Sequence, residues 1–180
     1  MKPALINIEN VHIHSAEPRT LPFAILHAVT GRKEAAGAEE SPRFIKYVMG
    51  APVSCDAKTW DAVLDNTMGL MWCAEDQKVS DWASSEKACS DLRTGGFEDW
   101  RWPTIQERLS IVDYTCTEPA VDTTFFRIPG SGWHWTSTRY ADSPSSFAWC
   151  VGLHDGSALI DGQHVSGRVL ACRRAAPASQ

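Results

Sequence analysis

Residues Asp99–Asp113 read D-W-R-W-P-T-I-Q-E-R-L-S-I-V-D, and this stretch decides how the chain is organised. A proline keeps the residue before it out of helix and is at home in a helix's first turn. A helix therefore starts just after Pro103. Thr104 and Glu107 form a T-x-x-E capping box, in which each side chain satisfies the other residue's backbone N–H. Ile105, Leu109 and Val112 recur at helical spacing and supply the buried face. Upstream, Trp100 and Trp102 alternate along an extended segment, so their rings share a face. Core packing is the expectation for both, because Trp is highly buried on average.

Working outward, Trp82, Ser85, Cys89 and Leu92 lie three or four residues apart, the stripe of a helix of about 12 residues that Gly95-Gly96 stops. Downstream, Pro129-Gly130-Ser131-Gly132 leads into a strand over Trp133–Thr138. Phe147–Leu153 and Ser157–Asp161 flank His154-Asp155-Gly156, whose Asp-Gly suits a hairpin turn. Gly167–Arg174 reads as one last strand. Two helices followed by an antiparallel meander make an α+β domain.

All eight tryptophans lie between Trp60 and Trp149, so the first 59 residues differ in kind. They hold three short apolar runs, Leu5–Ser15, Phe23–Val29 and Phe44–Met49, around a charged Ala/Gly-rich loop at Gly31–Ser41. Such a segment seldom makes its own core. Residues 1–59 read as a small β-rich attachment or oligomerisation segment, 60–174 as a binding domain and 175–180 as a flexible tail.

The 180 residues are 43% hydrophobic and 22% charged, the composition of a folded globular chain. No apolar run approaches the roughly 18 residues of a membrane span, so membrane insertion is not expected. Met1–Asn10 lacks the continuous apolar run of a secretory signal. A net charge of −5 supplies no basic field for nucleic acid. Six widely spaced cysteines form no Cys-x-x-Cys, so structural zinc is not expected. Long-range disulfides and buried free thiols both stand as readings of them. Synthesis in the cytosol followed by exposure on a virion reconciles the two.

Six motifs in order carry a resemblance. They are Asp65-Asn66-Thr67-Met68-Gly69-Leu70-Met71-Trp72; Trp82 with Ala88-Cys89-Ser90-Asp91-Leu92; Asp99–Thr104; Trp135-Thr136-Ser137-Thr138; Ala148-Trp149-Cys150-Val151; and Ala171-Cys172-Arg173-Arg174. Over residues 60–174 the chain resembles the Lcl C-terminal domain family, with Met68 inserted and Trp102 in place of the usual Leu. The resemblance implies a C-type lectin-like α+β fold, two helices and a long-looped antiparallel sheet. It implies a binding module of bacterial adhesins and phage particles, with no conserved catalytic chemistry. It also implies a Cys89–Cys172 disulfide, with Cys116–Cys150 as the second pair.

The calcium motifs of true C-type lectins are missing. Glu118-Pro119-Ala120 lacks the carboxamide ligand, no Trp-Asn-Asp occurs, and too few oxygens cluster for calcium. No cofactor or metal is expected. Neither G-x-S-x-G, H-E-x-x-H nor a phosphate-binding Gly loop is present, so no enzyme activity is expected.

Six residues are candidates for ligand contact: Trp133 and Trp135 after the glycine-rich turn, Arg139, Tyr140 and Asp142 in the polar loop to Ser146, and Glu118 in the loop to Thr124. Tyr and Arg are enriched at interface hot spots, and loops on a rigid scaffold carry recognition. Core filling is the competing reading of both tryptophans. His12 and His14 share a strand face that a symmetric assembly could turn into a metal site, although a plain polar face is the favoured reading. The function expected is host recognition by a phage tail-tip or fibre protein binding a bacterial surface glycan or pilus, located on the virion after cytosolic synthesis. A homo-oligomer, with a trimer favoured, would raise avidity, and residues 1–59 would meet other particle proteins. The alternatives are a structural particle protein that holds subunits together and a bacterial surface adhesin.

Overall fold

Pro103 does mark a helix start. In the computed structural model, which describes residues 41–175, α1 spans Ser84–Ser90 and α2 spans Ile105–Leu109. Thr104 caps α2 by accepting from the Glu107 N–H at 3.2 Å, while the Glu107 carboxylate accepts from the Thr104 N–H at 2.8 Å. The same carboxylate takes a two-pronged ion pair from Arg101, at 2.6 and 2.9 Å. The strands and loop expected within residues 1–40, the His12/His14 pair and the tail beyond Ala175 lie outside the described residues.

Among the described residues ten strands form two sheets. The first sheet holds β1 (Phe44–Val48), β2 (Ala51–Pro52), β3 (Ala62–Asp65), β4 (Leu70–Cys73) and β10 (Cys172–Arg174), in the order β10-β4-β3-β1-β2 and antiparallel throughout. The second holds β5 (Gln77–Val79), β6 (Trp133–Arg139), β7 (Phe147–Gly152), β8 (Ala158–Gly162) and β9 (Gly167–Val169), in the order β5-β9-β6-β7-β8. Its β6–β9 pairing is parallel.

Local chemistry explains the β3–β4 hairpin. Asp65 is fully buried and accepts from the Thr67 and Met68 N–H groups at 3.0 and 3.2 Å, and Arg43 holds it at 3.1 Å. Gly69 then takes φ 61°, a left-handed conformation that costs glycine little. Met68 is accommodated at the exposed tip.

The α+β, C-type lectin-like expectation is overturned. Two five-stranded sheets carry the domain, and its helices are only seven and five residues long. The expected helix of Trp82–Leu92 shrinks because its ends prefer other structure. Asp81 accepts from the Ser84 N–H at 2.8 Å and starts the helix late, and serine and aspartate at Ser90-Asp91 compete for backbone groups rather than extend it. A 3₁₀ turn follows at Thr94–Gly96. The second helix stops when the Ser110 hydroxyl donates back to the Glu107 carbonyl at 2.7 Å, a bond that offers the backbone an exit from helix.

The expected last strand is also divided. Gly167–Val169 serves the second sheet, Cys172–Arg174 serves the first, and Leu170-Ala171 carries the chain between them. Arg101 and Cys172 exchange backbone hydrogen bonds at 2.8 Å in both directions, tying the D-W-R-W-P-T segment to this crossing point. Of the eight tryptophans, Trp60, Trp72, Trp82, Trp100 and Trp135 are buried, so their abundance chiefly builds core. Trp102 packs on Trp82 at a centroid distance of 4.7 Å.

Candidate functional site: an aromatic face at one end of the second sheet

Alternation along β7 sends Ala148 and Cys150 inward and leaves Phe147 and Trp149 on the opposite face. Ile160 of β8 stands directly across from Trp149. Tyr140, just past the end of β6, meets Trp149 edge-on at a centroid distance of 6.2 Å. Phe147 and Ile160 are 40% and 37% exposed, and Tyr140 and Trp149 are half-buried. The four side chains make a ridged apolar face on a rigid sheet.

Polar groups border this face. The Tyr140 hydroxyl donates to Asp142 Oδ2 at 2.8 Å, and that bond pushes the phenol's pKa up. Arg139 points to the other side of the sheet, over the Trp82 ring at 4.9 Å. Gln163 donates to the carbonyls of Pro144 and Phe147 at 3.0 and 3.1 Å, pinning the loop between β6 and β7 to the turn after β8. Aromatic surface with a few placed polar groups is the usual make-up of a ligand or partner site.

The six candidates from the sequence separate in space. Tyr140 and Asp142 belong to this face, whereas Arg139 stands across from the inward Ala148 and lies over Trp82 on the other side of the sheet. Trp135 is buried, at 1% exposure, on the side of β6 that pairs with Cys150, so it fills core. Trp133 and Glu118 stand together elsewhere. Trp133 and Arg139 close opposite ends of the seven-residue β6, roughly 20 Å apart at strand rise.

At that other end, Glu118, Gly130, Ser131, Gly132 and His154 line an open cleft of about 490 Å³. Trp133 meets His154 edge-on at 5.5 Å. Glu118 takes φ 54°, and its N–H donates to the His154 carbonyl at 2.8 Å. A Cβ on Gly130 would lie 2.6 Å from the Glu118 carbonyl carbon, so glycine is needed for that close approach. The expected single ligand surface is thus two surfaces, one at each end of β6. Phe147, Trp149 and Ile160 were not among the candidates, although Phe147 and Trp149 two apart in a strand is a signal that finds them.

A buried charged group lies against β6. Asp76 sits in the short segment between β4 and β5 and accepts from His134 Nε2 at 2.7 Å. It also accepts from two nitrogens of Arg168, one of them at 2.7 Å. Burial works against the Asp76 carboxylate, but the bonds from Arg168 and His134 outweigh it and bring its pKa down to about 2. Burial, reinforced by the positive charge of Arg108, takes His134 down to about 4 despite the Asp76 bond.

All six cysteines stand as free thiols, with the pairings Cys89–Cys172 and Cys116–Cys150 unformed. Burial pushes Cys73 up to about 11 and Cys150 and Cys172 up to about 12, and it raises Cys89 as well. Among the described residues no group of three or more His, Cys, Asp or Glu side chains is placed to hold a metal ion. Nor is any described helix long and apolar enough to cross a membrane.

Comparison with curated proteins gives no match. The family comparison does give one: residues 61–173, from Asp61 ahead of β3 to Arg173 in β10, match the Lcl C-terminal domain. The chain belongs to the Lcl C-terminal domain family.

Proposed function

We propose that the domain is a non-enzymatic recognition module of a phage tail tip or fibre, which binds a bacterial surface glycan or pilus through the face formed by Tyr140, Phe147, Trp149 and Ile160. The observation that carries this reading is the exposed aromatic face bordered by Asp142. Aromatic faces accept the apolar face of a sugar ring or a partner's side chains, while the carboxylate takes hydroxyl or amide groups. Membership of the Lcl C-terminal domain family supports a recognition role. Weak single sites would be reinforced by several copies, so a homo-oligomer, with a trimer favoured, belongs to the proposal.

Labelled full-length protein is added to intact cells of candidate host bacteria, alongside a Tyr140→Ala/Phe147→Ser variant and a pilus-free strain. Saturable binding that the variant loses supports the reading, and the pilus-free strain separates pilus from glycan. Equal binding by a correctly folded variant removes this face from recognition.

The apolar exposure of Phe147 and Ile160 favours a second reading, in which the same face clamps a neighbouring subunit of the particle. The variant then adsorbs normally once assembled but assembles poorly.

A further inference from the structure

Arg108 occupies the middle of α2, within one turn of the capping box, and its side chain is completely closed off from solvent. Its Nε, Nη1 and Nη2 atoms have no hydrogen-bond partner among the described residues. A buried guanidinium without a partner is among the costliest arrangements a protein interior can hold, because every N–H has surrendered water for nothing. Buried polar groups in native folds are satisfied, by protein or by a bound species.

The surroundings say what kind of species. The charge of Arg108 acts on His134 and Cys172, and Asp76 acts on Arg108 in return, so these three side chains are within electrostatic reach of the guanidinium. Asp76 is already committed to Arg168 and His134, and Glu107, the next residue to Arg108, is committed to Arg101. Two guanidiniums against a single carboxylate leave one positive charge over.

The free hydrogen-bonding capacity is lopsided in the same direction. Because Asp76 accepts from His134 Nε2, the unpartnered His134 Nδ1 is an acceptor in the neutral ring. It can satisfy one Arg108 N–H and leaves the rest. Trp72 Nε1 is a further unpartnered donor, on a residue that pairs with Cys172 across β4 and β10 and so shares its face of the sheet. An excess of N–H donors with one surplus positive charge asks for an acceptor that carries one negative charge.

We propose that Arg108 holds a small monovalent inorganic anion, of halide size, as a buried part of the folded domain, with Trp72 as a second donor. Full enclosure of the side chain in a close-packed interior excludes larger oxyanions. Charge balance excludes divalent ones.

The test follows thermal unfolding of the full chain at constant ionic strength while sodium gluconate is replaced stepwise by sodium bromide. The wild type should gain several degrees in Tm along a saturable curve, since a ligand that binds only the native state stabilises it by mass action. Arg108→Met, which keeps the volume and removes the charge, should show no such dependence. Crystals grown in bromide should show an anomalous peak within hydrogen-bond distance of the guanidinium. Equal bromide dependence in both proteins, or a crystal with bromide elsewhere and only water at Arg108, overturns the proposal. Should Arg108→Met fail to fold, the anomalous map of the wild type decides it alone.

Discussion

His134 Nε2 lies 2.7 Å from Asp76 Oδ2, with both side chains almost wholly withdrawn from solvent and 58 positions apart in the chain. This contact joins the strand-linking segment before β5 to the middle sheet strand β6. It makes the fold sensitive to acid. His134 titrates near 4 in the fold against 6.5 when exposed, so between these values the unfolded chain takes up a proton that the native state refuses. Stability from this group is complete above pH 6.5 and falls by about 3 kcal/mol as the pH drops to 4. Asp76, near 2 in the fold against 3.8, adds stability that is present above pH 3.8 and is lost below it. Urea unfolding at pH 7, 5.5 and 4.5 should show a falling midpoint. A His134→Gln variant should have a flatter profile, and an unchanged wild-type midpoint would contradict the buried neutral imidazole.

Removing the anion of this group should be worse than removing either cation. Asp76→Ala leaves Arg168 and His134 without their acceptor and leaves Arg108 without a negative charge that acts on it. Breaking a buried pair from one side costs about 3–5 kcal/mol. The denaturant midpoint should fall accordingly, and by clearly more than in Arg168→Met, since Arg168 is partly exposed.

The capping box gives a smaller, cleaner expectation. Thr104→Ala removes the acceptor for the Glu107 N–H and should cost about 1 kcal/mol. Glu107→Ala loses its part of the cap and the Arg101 ion pair together, so it should cost more. Differing unfolding midpoints for the two variants at equal m-value would bear this out.

Thiol reactivity reads out the state of the cysteines. Cys55 is exposed and Cys116 half-buried, whereas Cys73, Cys89, Cys150 and Cys172 are buried. A thiol reagent at pH 8 should label Cys55 first. Cys116 should follow more slowly, because Asp113 beside it raises its pKa and the thiolate is the reactive form. The buried four should react only in denaturant. Fewer than six thiols in unreduced, unfolded protein would show that disulfides form in the mature state.

Much of the local structure was legible before any fold was known. Phe44–Val48, Trp133–Arg139 and Phe147–Gly152 fall within a residue or so of the short apolar runs that mark them as strands. Thr104 and Glu107 announce the start of α2. The helices' lengths were not legible, because an apolar stripe at three- and four-residue spacing tells which face is buried and not how far the helix runs. Ser90, Asp91 and Ser110 end the helices through backbone bonds that the stripe does not register. Gly167–Arg174 looked like one strand because nothing local distinguishes the residues that pair with β5 and β6 from those that pair with β4.

The amino-acid sequence by itself determined the caps, the turns, the strand alternation and the family, because these signals act between residues a few positions apart. Tertiary structure alone decided which candidates share a surface. It put Tyr140 against Trp149 and Glu118 beside the Gly130 turn, at opposite ends of β6. It also drew Arg108 into the interior beside His134, although a charged residue next to a capping glutamate reads as exposed. Such placements depend on which sheets and helices close over one another, and that follows from packing the whole core, where burial can outweigh the preference of any single side chain.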